Sequence, residues 1–76
     1  MSSPSVILYT RAGCHLCDDA KSVLRAHGLD PAEVDVDASD GLRELHGSWV
    51  PVVEIDGRVR FRGRVDPILL RRLVDG

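Results

Sequence analysis

The strongest constraint on the fold is a strand, helix and strand read in succession along the first half of the chain. Residues 6–9, VILY, form a short continuous apolar run of strand formers, the pattern of a central strand covered on both faces. Leu16, Ala20, Val23 and Leu24 then recur at spacings of four, three and one, which makes one apolar helical stripe; Asp18 and Asp19 suit its first turn and Gly28 its C-terminal stop. Residues 33–37, EVDVD, alternate as a half-exposed strand does. An intervening helix carries the chain back to its starting end. The two strands are therefore expected side by side and parallel, joined by a right-handed crossover.

The second half reads differently. Residues 39–47, SDGLRELHG, predict a short helix with Leu42 and Leu45 inward, and residues 50–55 a third strand. Asp56-Gly57 lies between that strand and Arg58, and this dipeptide tolerates the positive backbone angles of a two-residue hairpin. The flanking strands should run antiparallel, with Val59 and Phe61 on one face and Arg58, Arg60 and Arg62 on the other. Asp66-Pro67 predicts an N-cap and first helical residue, Val65 and Leu70 a hydrophobic staple, and Leu69, Leu70, Leu73 and Val74 the buried stripe of a last helix. The fold class is α/β, in the order βαβ, short α, ββα, with helices packed on a mixed four-stranded sheet.

Composition limits what such a domain does. Seventy-six residues make a single domain, 1–76, with the first four expected to be flexible. A domain this small buries only about 60% of the surface its unfolded chain exposes. No apolar run approaches the roughly 18 residues of a membrane span, and MSSPS has neither the basic start nor the apolar core of a secretory signal. The expectation is a cytoplasmic monomer without membrane partners. In a reducing compartment a permanent disulfide is disfavoured, and a bridge closing four residues would restrain the unfolded chain very little. The two cysteines therefore point to catalysis or metal binding.

Both lie in residues 11–21, RAGCHLCDDAK. Cys14 falls at the junction of the first strand and its helix, where unpaired N–H groups and the positive end of the helix dipole favour an anion. A thiolate is that anion. At such positions a cysteine pKa drops from about 8.5 to roughly 3.5–7.5, and the thiolate is the form that attacks disulfides. Cys17 lies one turn on, and residues three apart on a helix are neighbours at about 5–6 Å, within the Cα separation a disulfide prefers. It also sits at the margin of the apolar stripe, more sheltered than Cys14. Cys14 is expected to attack, forming a mixed disulfide, and Cys17 to resolve it.

VILYTRAGCHLCDDAKSVL, followed some thirty residues later by WVPVVEIDG, resembles a small bacterial glutaredoxin-like protein of the thioredoxin superfamily across nearly the whole chain. The resemblance implies a thioredoxin-like fold and dithiol oxidoreductase activity. It also implies a cis bond before Pro51, a Val50 backbone offered to an incoming thiol-bearing peptide, and a role for Arg11 in holding a glutathione carboxylate and the thiolate. No bound cofactor is implied; glutathione or another thiol is the co-substrate, and disulfide-containing proteins or low-molecular-weight thiols are the partners. The pair between the cysteines is His15-Leu16 rather than the family's usual Pro-Tyr, and residues 62–66, RGRVD, keep one of two customary glycines. The electron donor stays open among glutathione, another thiol and a thioredoxin reductase.

Three neighbours are candidate modulators. His15, when protonated, would favour the thiolate, Asp18 would oppose it, and Trp49 would shape the rim. His27 and His46 each precede a glycine stop and are read as structural. Charge is lopsided: residues 18–56 carry ten acidic and three basic residues, residues 58–76 six arginines. Alternating arginines on an edge strand oppose edge-to-edge pairing, and no interleaved aromatic residues make a base-stacking platform, so no nucleic acid is expected. Two other function classes use the same features. One is a metal or iron–sulfur module, although two thiolates leave a four-coordinate site incomplete and no metal ligands are assigned. The other is a non-catalytic redox-sensing adaptor.

Overall fold

The computed structural model describes residues 4–75. The flexibility expected of the first four residues concerns 1–3, outside the described residues, and Pro4, which is exposed. The elements are β1 (Val6–Thr10), α1 (His15–Ala26), β2 (Ala32–Asp35), a 3-10 turn (Val36–Ala38), α2 (Asp40–His46), β3 (Val52–Ile55), β4 (Arg58–Arg62) and α3 (Pro67–Asp75). They follow the expected βαβ, α, ββα order around one sheet, β2-β1-β3-β4. β1 and β2 are parallel, Thr10 lying opposite Asp35, as the intervening helix requires. β3 runs antiparallel to β1, with Tyr9 opposite Val52, and β4 returns antiparallel to β3. The hairpin turns on Asp56 (φ 52°) and Gly57 (φ 83°), both in the left-handed region that a primed turn demands. Among the described residues no helix is long and apolar enough to cross a membrane.

The apolar core lies on one face. Val6 and Leu8 of β1, Val53 and Ile55 of β3 and Phe61 of β4 pack with Ala20 and Leu24 of α1 and with Val65 and Leu70. α1 stops in a Schellman motif: the Leu29 N–H donates to the Leu24 carbonyl at 3.1 Å and the Gly28 N–H to that of Arg25 at 3.0 Å, with Leu29 and Leu24 in the same cluster. The His27 ring reaches the Val23 carbonyl at 2.8 Å. At α3 the Asp66 carboxylate accepts from the Ile68 N–H at 2.9 Å, and Val65 and Leu70 both enter the core, as the cap and staple predict.

The opposite face is covered by α2 and the 3-10 turn. Val36 and Val52 are fully buried outside the main cluster. Tyr9, on the Val52 face, packs its ring 4.3 Å from that of His46 and donates its hydroxyl to the Glu54 carboxylate. That hydrogen bond, then burial and the Glu54 charge, raise the tyrosine pKa.

Several expectations need correction. β2 ends at Asp35 rather than residue 37, because the Asp35 carboxylate accepts from the Asp37 N–H at 2.9 Å and turns the chain into the 3-10 segment. β3 begins at Val52 rather than residue 50, since Pro51 has no N–H to give a ladder. On β4 a bulge breaks the alternation: Phe61 faces Val53 but Val59 faces Glu54, so Phe61 is buried and Val59 only half-buried. Leu45 is 70% exposed, not inward, and α2 fully buries none of its residues. Leu16, Leu69 and Leu73 are likewise exposed. Adjacent helical residues lie about 100° apart, so of Leu69 and Leu70 only Leu70 can face the sheet.

Candidate active site

The loop from β1 into α1 builds the site. Gly13 takes φ 77°, and the Cys14 N–H donates to the Arg11 carbonyl at 3.2 Å, closing the turn. Cys14 is the N-cap of α1: its backbone is extended, and its sulfur accepts from the Cys17 N–H at 3.1 Å, where a capping serine or aspartate oxygen ordinarily accepts. The sulfur thus takes one of the helix's orphan donors at the positive end of its dipole.

The two thiols, both free, differ in environment. Cys14 is half-buried, whereas Cys17 is only 4% exposed. Burial first, and then the hydrogen bond to the Cys14 side chain, push the Cys17 thiol up to about 11; the charges of Cys14 and Asp18 add to this, and an Arg11 backbone hydrogen bond opposes it.

The sheet register supplies the other wall. With Tyr9 opposite Val52, the residues before β3 come alongside the end of β1, at the same end as Cys14. The Val50–Pro51 bond is cis, and Pro51 is fully buried. The Gly63 N–H bridges the carbonyls of Trp49 and Pro51, each at 2.8 Å, which pins the segment on both sides of Val50. Among the described residues Val50, half-buried, enters none of these loop hydrogen bonds. Trp49 is 58% exposed, and Leu16 at 53% borders an open groove of about 260 Å³ whose far side is Arg64, Val65 and Pro67.

Arg11 is committed sideways. Its Nε and Nη2 donate to the two oxygens of Asp37 at 3.0 and 3.2 Å, and its Nη1 donates to the Gly47 carbonyl at 3.1 Å. Asp37 raises the Arg11 pKa, first by hydrogen bonding and then by charge. Arg11, Cys14, Cys17, Val50 and Pro51 therefore share one end of the sheet. His15 and Asp18 lie exposed in the first turn of α1.

Sequence reasoning missed Asp37, Gly47 and Gly63. No local signal marked Asp37: β2 ends at Asp35 opposite Thr10, and only that register brings the carboxylate two residues on to Arg11. Gly47 was read only as a helix stop: its φ is ordinary, and a Cβ there would stand 2.4 Å from the Arg43 carbonyl oxygen, which nothing in the sequence signals. Among the described residues no three His, Cys, Asp or Glu side chains form a group able to hold a metal ion.

Comparison with known proteins agrees with this fold. The model of the Glutaredoxin-like domain matches residues 5–74. An uncharacterized protein of Mycobacterium tuberculosis is 38% identical over 80 residues, spanning 93% of this chain and 82% of its own length. A structural-genomics target from X. campestris superposes with a TM-score of 0.79 at 33% identity, covering 93% of this chain and 96% of that one. The glutaredoxin-like protein NrdH-redoxin from Escherichia coli, described as having a thioredoxin-like activity profile, gives a TM-score of 0.70 at 25% identity, covering 91% and 93%. On the family match and the shared order of strands and helices, this chain belongs to the glutaredoxin-like family and has the thioredoxin-like fold.

Proposed function

We propose that the protein is a dithiol–disulfide oxidoreductase in which Cys14 attacks and Cys17 resolves. The observation that carries this reading is the Cys17 N–H aimed at the Cys14 sulfur at 3.1 Å, with the second thiol buried one turn behind it. The Cys14 thiolate attacks one sulfur of a substrate disulfide, forming a mixed disulfide and expelling the first substrate thiolate, which takes up a proton. Cys17 then loses its proton and attacks the Cys14 sulfur. That step releases the second substrate thiol and leaves a Cys14–Cys17 bridge, so the substrate gains two electrons and two protons. Once Cys14 is in a mixed disulfide it no longer repels a second thiolate, which eases deprotonation of Cys17 at the step that needs it.

The remaining residues position the substrate. Val50 offers its N–H and carbonyl to an extended peptide, above the surface fixed by Pro51. Leu16 and Trp49 give polypeptide substrates an apolar rim. Arg11, its guanidinium paired with Asp37, holds the Cys14 N–H on its backbone carbonyl, while a protonated His15 favours the attacking anion and Asp18 opposes it. Disulfide-containing proteins and low-molecular-weight thiols are the partners, in a reducing cytoplasm. Glutathione, another small thiol or a thioredoxin reductase returns the electrons. The thioredoxin-like profile described for NrdH-redoxin favours testing a reductase first.

The test offers each donor to the oxidised protein alongside a model protein disulfide. Cys14→Ser is expected to abolish exchange, while Cys17→Ser accumulates a mixed disulfide visible by intact mass. Equal loss of mixed-disulfide formation in both variants would overturn the assigned roles. Absence of turnover by the wild-type protein with every donor would leave the adaptor reading.

A further inference from the structure

We propose that Asp37 is a specificity-determining residue that, by pairing with Arg11, removes the positive charge an anionic disulfide would otherwise find beside Cys14. The inference rests on the oxidoreductase reading and narrows its substrate class toward disulfides without negative charge near the sulfurs.

Arg11 is the cation whose charge couples to Cys14, and its carbonyl holds the Cys14 N–H. Its guanidinium is part-exposed but already engaged through Nε, Nη1 and Nη2. The Nε and Nη2 edge is occupied by both oxygens of Asp37, a bidentate pairing that fixes direction as well as charge, and the Gly47 carbonyl takes Nη1. Asp37 is itself held in place. The Asp35 carboxylate accepts its N–H at 2.9 Å, and Arg43 Nε approaches Asp37 at 3.7 Å from α2 while its Nη2 binds Asp40 at 2.9 Å. At Gly47 a Cβ would stand 3.1 Å from Arg11 Nη2, so the bare backbone is part of the clamp.

The surrounding charges give no compensating attraction. Arg11 and Arg43 face Asp35, Asp37 and Asp40, while Asp18 lies exposed on the first turn of α1 beside the cysteine pair. Among these side chains an anion approaching Cys14 therefore meets no net positive charge, and the attraction that remains is that of the α1 N-terminus. Neutralising Asp37 alone would expose Arg11 while leaving the sulfur, its N-cap and the Val50 shelf intact.

The test uses a Cys17→Ser background, in which Cys14 is the sole thiol, and two aromatic disulfides of similar reactivity. Dithiobis(nitrobenzoate) is a dianion, whereas dithiodipyridine is neutral. The readout is the ratio of their second-order rates. Asp37→Asn keeps an oxygen for Arg11 and removes the charge; the anionic-to-neutral ratio should rise about threefold at low ionic strength and fall back as salt is added. Adding Arg11→Gln should cancel the gain. An unchanged ratio in a folded Asp37→Asn protein, judged by circular dichroism, overturns the proposal.

A second measurement needs no change at Asp37. With Arg11 already paired, added salt should leave the rate toward the dianion unchanged or raise it. A rate that falls with salt, while the neutral probe is unaffected, means Arg11 acts as an open cation and also overturns the proposal. Both readouts require only that Cys14 react, so failure to turn over protein disulfides would sink the oxidoreductase reading without altering these ratios.

Discussion

The two faces of the sheet are held by different physics. On one, α1 and α3 bury Ala20, Leu24 and Leu70 against Val6, Leu8, Val53, Ile55 and Phe61, a continuous apolar core. On the other, α2 fully buries none of its own side chains and is fastened by a ring contact between Tyr9 and His46, the Arg11–Asp37–Arg43 links and the close approach at Gly47. The first face supplies stability and sets α1 beneath Cys14. The second carries the charges next to the site, where partly exposed ion pairs contribute only about 0–1 kcal/mol each and are weakened by salt. Stability and charge tuning are thereby separated, and a change to one face should leave the other largely intact.

The sharpest way to break this contrast is Leu24→Ala. Leu24 is fully buried and also forms the apolar side of the Schellman stop, so the substitution should cost about 2–5 kcal/mol. Urea unfolding would read this as a lower midpoint at unchanged slope. On the other face the largest single effect is expected from Gly47→Ala. Its new methyl group would meet the Arg43 carbonyl oxygen at 2.4 Å, a backbone atom that cannot swing aside. Relief requires the end of α2 to shift, at a cost of about 1–3 kcal/mol by the same unfolding measurement. A neutral Gly47→Ala would mean that α2 is not clamped as described.

What was legible in the sequence divides along the same line. β1, α1, the Asp56-Gly57 turn and the Asp66 cap could be read because apolar periodicity and turn chemistry are local. The cysteine pair was legible because three-residue spacing on a helix fixes a distance. The α2 face was not. Leu42 and Leu45 have helical spacing, yet a seven-residue helix fastened by polar links need not bury an apolar stripe, and Leu45 points to solvent. The partner of Arg11 depends on the register of β2 against β1, and the half-burial of Val59 on a bulge in β4. Both are tertiary facts without a local sequence signature.

A smaller effect, dependent on pH, belongs to the apolar side of the comparison. Burial, followed by the neighbouring Cys14, holds the Cys17 thiol at about 11 against an ordinary 9.0. The folded state thus keeps a proton that the unfolded state gives up first. The corresponding contribution to stability is complete below about pH 9 and is lost as pH rises toward about 11. Under reducing conditions wild-type stability should fall more steeply over that window than that of Cys17→Ala, which has no thiol to titrate. Tyr9, also raised, titrates in both proteins and drops out of the difference. Parallel curves would remove the environment assigned to the resolving thiol.

The smallest effect is the most discriminating for α2. Leu45→Ala removes a side chain that is 70% exposed and replaces it with a better helix former, so unfolding free energy should change by no more than about 0.5 kcal/mol. The same substitution at Leu24 deletes the same atoms and differs only in what surrounds them. A loss above about 1 kcal/mol at Leu45 would require those atoms to be buried in solution. α2 would then lie on an apolar seat, and the polar links that orient Arg11 and Asp37 would be accessories to packing rather than its substitute.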